Sequence, residues 1–231
     1  MYSRGLLRAC SLVILLNGNY LVYAGESSPF QRYDNNLTLG YYNVIYGDGD
    51  STGGIDIHAE ALLDMGLWLS AGAGYVLYYN RTSSVLNKVT GASLAINAGY
   101  AFLTLENKLN LIPYVRMQHI GQSLSTGYDS SQVDYTDAYG PGLITEYDAI
   151  RDTLKFRFDT NVLFSNTKSS FVSPNNYPDQ SNTNTLWSFS PSIQYNITKV
   201  LTTQFIYSYT INTYNPSMSA NTFDFRIGII Y

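Results

Sequence analysis

The sequence is poor in cysteine, in charge and in long apolar runs, and each shortage excludes a class of protein. Its single cysteine, Cys10, lies near the N-terminus, so the rest of the chain offers neither disulfides nor a Cys-ligated metal. Charged residues make up 13% of the chain, and the formal net charge is −4. This acidic balance, without a basic face, argues against nucleic acid as a partner. No apolar run reaches the roughly 20 residues of a membrane-spanning helix.

The N-terminus has the pattern of a cleaved export signal. Arg4 and Arg8 form a short basic region, residues 9–16 are apolar, and Ala24 closes a small-residue cleavage site. We therefore expect three segments: a leader (1–24), a periplasmic N-terminal segment (25–34) and one folded domain (35–231).

Alternation of apolar and polar residues with period two is the main pattern in the rest of the chain. Leu154, Phe156 and Phe158, for example, alternate with Lys155 and Arg157. In a β-strand such residues project to opposite faces. The pattern predicts ten strands, at 35–46, 53–64, 67–79, 88–103, 108–120, 135–147, 153–164, 186–196, 200–211 and 222–231.

The connections between these strands alternate in length. Short turns follow the second, fourth, sixth and eighth strands, and longer segments such as 121–134 and 165–185 follow the others. Outer-membrane barrels have short periplasmic turns and long external loops. If the chain starts and ends in the periplasm, ten strands place every long connection on one side of a membrane and every short turn on the other. An even strand number follows from the same arrangement.

The last strand ends the chain on an aromatic residue. Phe223, Phe225, Ile227, Ile229 and Tyr231 occupy every second position. This strand resembles the closing strand of bacterial outer-membrane β-barrels, the family of small, porin-like barrels. The resemblance implies that Phe225, Ile227, Ile229 and Tyr231 form the signal read by the barrel-assembly machinery.

The same resemblance implies an all-β fold: a single closed antiparallel transmembrane barrel of ten strands, with eight or twelve as alternatives. It also implies a location in the bacterial outer membrane, in contact with its lipid and lipopolysaccharide. The 22 tyrosines fit aromatic belts at the two bilayer interfaces. A soluble lipocalin-like barrel would alternate too, with its apolar face inward.

Three prolines conflict with regular strands. Pro113, Pro141 and Pro191 each fall inside a predicted strand. A closed barrel has no free edge at which a missing N–H is harmless. We therefore expect at least one of these strands to be irregular.

Charged residues on the polar face define a candidate lumen cluster. Counting along each strand from its turn places Glu60 at mid-height together with Arg116, Arg157 and Arg226, within reach of all three. Lys155 and Glu146 should face each other across a hairpin. Oppositely charged groups buried in a narrow lumen must pair. The predicted cluster comprises Glu60, Arg116, Arg157, Arg226, Asp159, Asp224, Asp56 and His58.

Three functions are compatible with this pattern. A barrel bridged by its own charges serves a structural or surface-interaction role, with extracellular ligands bound by its loops. A gap between Glu60 and the arginines would make a narrow channel for small solutes. An outer-membrane hydrolase is the third. Omptin proteases have ten strands, but their Asp–Asp and His–Asp spacing is absent, and no motif marks a serine near His58.

Two further features have ordinary structural interpretations. His119 shares the parity of apolar residues and should face lipid at the outer rim. The segment 47–54 is rich in Gly and Asp but lacks the spacing of a calcium-binding loop, so it predicts a hairpin tip. We expect no catalytic residues, no metal and no cofactor.

Overall fold

The computed structural model describes residues 35–63, 65–80, 86–104, 108–126, 130–172, 179–214 and 219–231. The predicted leader and the segment 25–34 lie outside these ranges. Within them, no helix is long and apolar enough to cross a bilayer.

The described chain is built of antiparallel β-strands whose positions match the ten predicted segments. They are β1 (Asn36–Tyr46), β2 (Ser51–Leu62), β3 (Leu67–Asn80), β4 (Leu86–Tyr100), β5 (Phe102–Thr104), β6 (Leu109–Thr126), β7 (Ser130–Ile150), β8 (Leu154–Val172), β9 (Gln180–Asn196), β10 (Leu201–Asn212) and β11 (Ala220–Ile230). The three-residue β5 continues β4 beyond Ala101, since both pair with β6 in one register.

Two long-range pairings close the sheet into a barrel. β1 pairs with β11 along its whole length, from Asn36 opposite Ile230 to Tyr46 opposite Ala220. β4 pairs with β6, so the order around the barrel is β1-β2-β3-β4-β6-β7-β8-β9-β10-β11. The protein is thus a closed ten-stranded antiparallel barrel, as predicted. A closed sheet satisfies its backbone groups internally, which is required in lipid.

The two faces of the barrel differ as the alternation predicts. Outward side chains such as Leu39, Ile57 and Phe225 are 57%, 47% and 54% exposed. Inward polar side chains such as Thr38 and Glu60 are buried, at 1% and 4%. The apolar face therefore points out and the polar face lines a lumen, the reverse of a lipocalin.

Each of the three prolines coincides with a two-residue break in one strand pairing. Opposite Pro113, the residues Tyr100 and Ala101 are unpaired with β6. The β7–β8 pairing skips Pro141, and the β9–β10 pairing skips Pro191. The other neighbour of each proline stays paired. The missing N–H therefore weakens one side of the strand only, and the predicted irregularity is confirmed at all three positions.

The strands do not end at one level. β6, β7, β8 and β9 have 18, 21, 19 and 17 residues, whereas β1 and β11 have 11 each. The prediction that 121–134 and 165–185 are loops is therefore wrong in part, because strands extend into both. These extensions are rich in Ser, Thr, Asn and Gln on both faces, so they carry no alternation by which to recognise a strand.

Candidate functional site in the lumen

An ion pair crosses the full width of the barrel. Arg157 Nη1 lies 2.8 Å from Glu60 Oε2 and 3.0 Å from Oε1. Glu60 is on β2 and Arg157 on β8, five strands apart in either direction around the ring. The indole N–H of Trp68 donates to Glu60 Oε1 at 2.7 Å, and the Trp68 ring centroid lies 5.6 Å from the Arg157 guanidinium carbon. This cluster spans the lumen instead of lining one wall.

A second charged group lies over β1. Arg226 Nη2 is 2.8 Å from Asp56 Oδ2 and 2.6 Å from Asp224 Oδ2. Asp56 and Arg226 flank Gly40, which pairs with both of them. A Cβ at Gly40 would collide with both carboxylates and with the arginine. Glycine is therefore required there so that side chains from β2 and β11 can meet above β1.

A third group repeats this arrangement above β7. The Tyr114 hydroxyl donates to Asp159 Oδ1 at 2.6 Å, and Arg116 Nη2 lies 3.4 Å from Asp159 Oδ2. Arg116 Nε also donates to Asn97 Oδ1 at 2.8 Å. The Tyr114 ring occupies the space that a Cβ at Gly142 would need. Side chains from β6 and β8 therefore meet above β7 at this glycine.

Glu146 connects the transverse pair to Lys155 near the short turn between β7 and β8. It lies 3.5 Å from Lys155 Nζ and 3.5 Å from Arg157 Nη1. The predicted pairing of Glu146 with Lys155 across the hairpin is therefore found. Arg157 thus sits between two carboxylates, which offsets the desolvation of its guanidinium.

An apolar layer fills part of the lumen near the short turns. Trp68, Ile112 and Ile144 point inward among polar residues, and each is 1% exposed or less. They form one cluster of buried residues: Leu62, Trp68, Ala101, Ile112, Tyr114 and Ile144. Packing of this kind excludes water, so this layer and the transverse ion pair together obstruct the barrel on the short-turn side.

Among the described residues, the lumen contains a cavity of about 340 Å³. Its lining runs from Glu60 and Trp68 to Tyr42 and Ser208, and it does not include Ile112 or Ile144. The cavity extends toward the long connections at Tyr42 and Ser208, and Gln194 and Gln204 line it near the short turn between β9 and β10.

The predicted sharing of Glu60 among three arginines is wrong. In the structure Glu60 contacts Arg157, whereas Arg116 pairs with Asp159 and Arg226 pairs with Asp56 and Asp224. The register explains this, because strands tilt in a barrel and residues equally far from their turns are not neighbours. His58 also belongs to the Glu60 group, with Nε2 3.6 Å from Glu60 Oε2.

Sequence reasoning missed two lumen residues and one exterior pair. Trp68 and Tyr114 were recognisable by parity, since Trp68 shares a face with Ser70, Gly72 and Gly74. His119 lies outside the lumen as predicted, and its Nδ1 is 2.7 Å from Asp137 Oδ1, also on the exterior. Among the described residues, neither histidine is hydrogen-bonded to a serine.

Three residues of the predicted assembly signal lie where the alternation places them. Phe225, Ile227 and Ile229 project outward. The Tyr231 backbone N–H donates to Asn35 O at 3.1 Å, and the chain end is thereby held to the start of β1. Recognition of this strand by the assembly machinery stays a prediction.

Comparison with known proteins shows the fold of the chain. No protein-family model matches the chain, and no curated sequence matches it. The structure is similar to the translocator domain of the autotransporter NalP from Neisseria meningitidis, with a TM-score of 0.52 and 9% identity over 100% of this chain and 99% of that one.

Two further solved structures have lower scores. The outer-membrane protease OmpT from Escherichia coli matches with a TM-score of 0.47 and 10% identity, over 84% of this chain and 92% of its own. Ail, the attachment invasion locus protein of Yersinia pestis, matches with 0.32 and 10%, over 85% and 97%. The structural neighbours are outer-membrane β-barrel proteins, and identities this low show a common fold alone.

Proposed function

We propose that the protein is an outer-membrane barrel with an obstructed lumen, which serves a structural or surface-interaction role. The observation that carries this proposal is the Glu60–Arg157 pair, which joins opposite walls of the barrel at 2.8 Å. The apolar layer of Trp68, Ile112 and Ile144 adds a second obstruction. Both are made of packed or ion-paired side chains, and moving either one exposes a buried charge or apolar surface.

β6 to β9 extend beyond the ends of the shorter strands, and this extension, called here the raised part of β6–β9, supports the surface role. β10 reaches only Leu186 of β9, and β9 continues from there to Gln180 in pairing with β8. The raised sheet is joined by polar side chains, such as Thr136 with Thr167 at 2.8 Å and Ser181 with Asn166 at 3.0 Å. A polar sheet that extends beyond the outward apolar side chains of the barrel suits contact with water, lipopolysaccharide headgroups or an extracellular ligand.

A narrow channel for small solutes is the second candidate. The cavity of about 340 Å³ favours it, because a solute could occupy that space from the side of the long connections. Passage would then require the Glu60–Arg157 pair to separate. A hydrolase has less support, since His58 contacts Glu60 within the charged network.

Conductance in planar bilayers distinguishes the first two candidates. Purified protein, refolded and shown to migrate faster on SDS gels before heating than after, should give no steady single-channel current. Stepwise currents from the unmodified protein would contradict the obstructed lumen and support the channel.

Labelling of intact cells tests the surface role. A cysteine introduced at Thr183 in the raised part of β9 should react with a membrane-impermeant maleimide. The matched cysteine at Thr198, in the short turn before β10, should react only after the outer membrane is permeabilised. The opposite pattern would place the short turns, and not this end of β9, on the cell surface.

A further inference from the structure

The raised part of β9 has an edge that no described strand covers. The pairing with β10 ends at Leu186, and one further bond joins Thr213 N–H to Thr185 O at 3.1 Å. Beyond that point, residues 180–184 pair with β8 alone. Residues 180–183 are also exposed to solvent. This side of the sheet is therefore open.

The backbone groups on the open edge belong to Ser181 and Thr183. In an antiparallel pair, alternate residues of a strand direct both N–H and C=O toward the same neighbour. Two observations assign the odd-numbered residues of β9 to the β10 side. Thr185 O accepts from Thr213 N–H, and the β9–β10 pairing breaks at Pro191, which has no N–H. The N–H and C=O of Ser181 and Thr183 therefore point away from β8, and among the described residues they have no partner.

A comparison with β4 shows that this edge lacks the usual protection. β4 pairs with β3 only as far as Ala92, so residues 86–91 also have a side that no described strand covers. That stretch contains Lys88, and its pairing with β6 shifts register between Leu86 and Lys88. Lysine residues and β-bulges both hinder a free edge from pairing with another chain. Residues 180–185 of β9 contain no charged residue, no proline and no register shift.

The exterior face beside the open edge presents a positive charge. Lys168 of β8 lies opposite Ser181, is exposed, and makes no ion pair among the described residues. A strand added beyond β9 lies about 10 Å from β8, two strand spacings away. Arg226 and Asp56 already meet across this spacing, over the small residue Gly40. An acidic side chain on the added strand can reach Lys168 over Ser181 in the same way.

We propose that this edge binds an extended peptide segment of an extracellular protein, which joins the sheet as an antiparallel strand beside β9. Ser181 and Thr183 exchange main-chain hydrogen bonds with the peptide, and an acidic residue opposite Ser181 pairs with Lys168. In this mode of recognition main-chain bonds supply affinity and side chains supply specificity. The inference rests on the proposed surface role, because the raised part of β9 must face the outside of the cell.

A second copy of the protein in the same membrane fits this edge poorly. A two-fold axis along the membrane normal tilts the two β9 strands in opposite directions. They then cross at about 70–90°, twice the usual strand tilt of a barrel. Strands that cross at such an angle do not form a ladder of hydrogen bonds.

Binding of a synthetic peptide to the detergent-folded protein tests the edge. The probe is Thr-Val-Thr-Glu-Thr-Val-Thr with a fluorescent label, and fluorescence anisotropy should show binding at millimolar concentration or below. Thr183→Pro removes an edge N–H that is not used in pairing with β8, so it should weaken binding about tenfold or more. Thr183→Ala is the matched control, because it keeps the N–H, and it should bind as the unmodified protein does.

The peptide provides a second test that needs no change at the edge. With its glutamate opposite Ser181, the glutamate and valine amides face β9 and the threonine amides face away. N-methylation of the first set should abolish binding, whereas N-methylation of the threonines beside the glutamate should preserve it. Glutamine in place of glutamate should weaken binding about two- to fivefold, and Lys168→Met should remove this difference.

Four outcomes overturn the proposal. They are no binding to the unmodified protein at millimolar peptide, equal binding by the two Thr183 variants, equal effects of the two N-methylated peptides, and dimerisation that Thr183→Pro abolishes, since a second copy then occupies the edge. If Thr183→Pro fails to fold, the methylated peptides decide. The proposed surface role fails separately, because labelling of intact cells at position 183 does not depend on peptide binding.

Discussion

Replacing Glu60 by glutamine removes the charge that joins the two sides of the barrel. Glu60 is 4% exposed and accepts hydrogen bonds from Arg157 at 2.8 and 3.0 Å and from Trp68 at 2.7 Å. Removing one partner of a buried pair costs about 3–5 kcal/mol. Glutamine keeps one acceptor oxygen, worth about 1 kcal/mol, and Glu146 remains 3.5 Å from Arg157. We therefore expect Glu60→Gln to lower the free energy of unfolding by about 2–4 kcal/mol.

Equilibrium unfolding in guanidinium chloride, followed by tryptophan fluorescence in detergent micelles, measures this loss. Asp137→Asn is the matched control, because it removes one partner of an exterior pair whose carboxylate side chain is 71% exposed. That change should cost less than about 1 kcal/mol. The freed Arg157 should also raise anion conductance. An unfolding curve and conductance both equal to those of the unmodified protein would refute the transverse ion pair, as would equal losses in the two variants.

Two further predictions concern the chain end and β1. Deleting Tyr231 should leave exported but unfolded protein in the periplasm, because the closing strand then lacks its terminal aromatic; fractionation measures this, and a normal membrane yield would defeat the assembly signal. Gly40→Ala should lower the unfolding midpoint because its Cβ collides with Asp56 and Asp224, whereas Gly121→Ala meets only ordinary contacts with Tyr135. Equal midpoints for the two alanine variants would show that the Arg226 group does not lie over β1.

The strand pattern could be predicted where one face is apolar. In β8, Phe156 and Phe158 point outward while Lys155 and Arg157 point inward, as the alternation indicates. The same strand continues to Val172, beyond its predicted end. From Ser165 to Ser170 both faces are polar, so hydrophobic periodicity carries no information there, and only the pairing with β7 and β9 defines the strand.

The partners of the charged residues could not be predicted by counting along single strands. Gly40 pairs with Asp56 on one side and Arg226 on the other, so Arg226 meets Asp56 and not Glu60. That register depends on how the sheet closes, which a single strand does not encode. The contact of Glu60 with Arg157 also depends on the diameter of the closed barrel. The alternation identified which residues point inward, and the closure of the sheet determines which of them touch.

The assignment of faces is the central claim, because the lumen cluster and the outward position of the apolar side chains both depend on it. Nitroxide labels on cysteines placed singly along β8 measure it most directly in bilayers, on a background without Cys10. Oxygen accessibility should alternate with period two, with maxima at Phe156, Phe158 and Phe164 and minima at Arg157 and Asp159. Maxima at Arg157 and Asp159, or no alternation, would contradict the account.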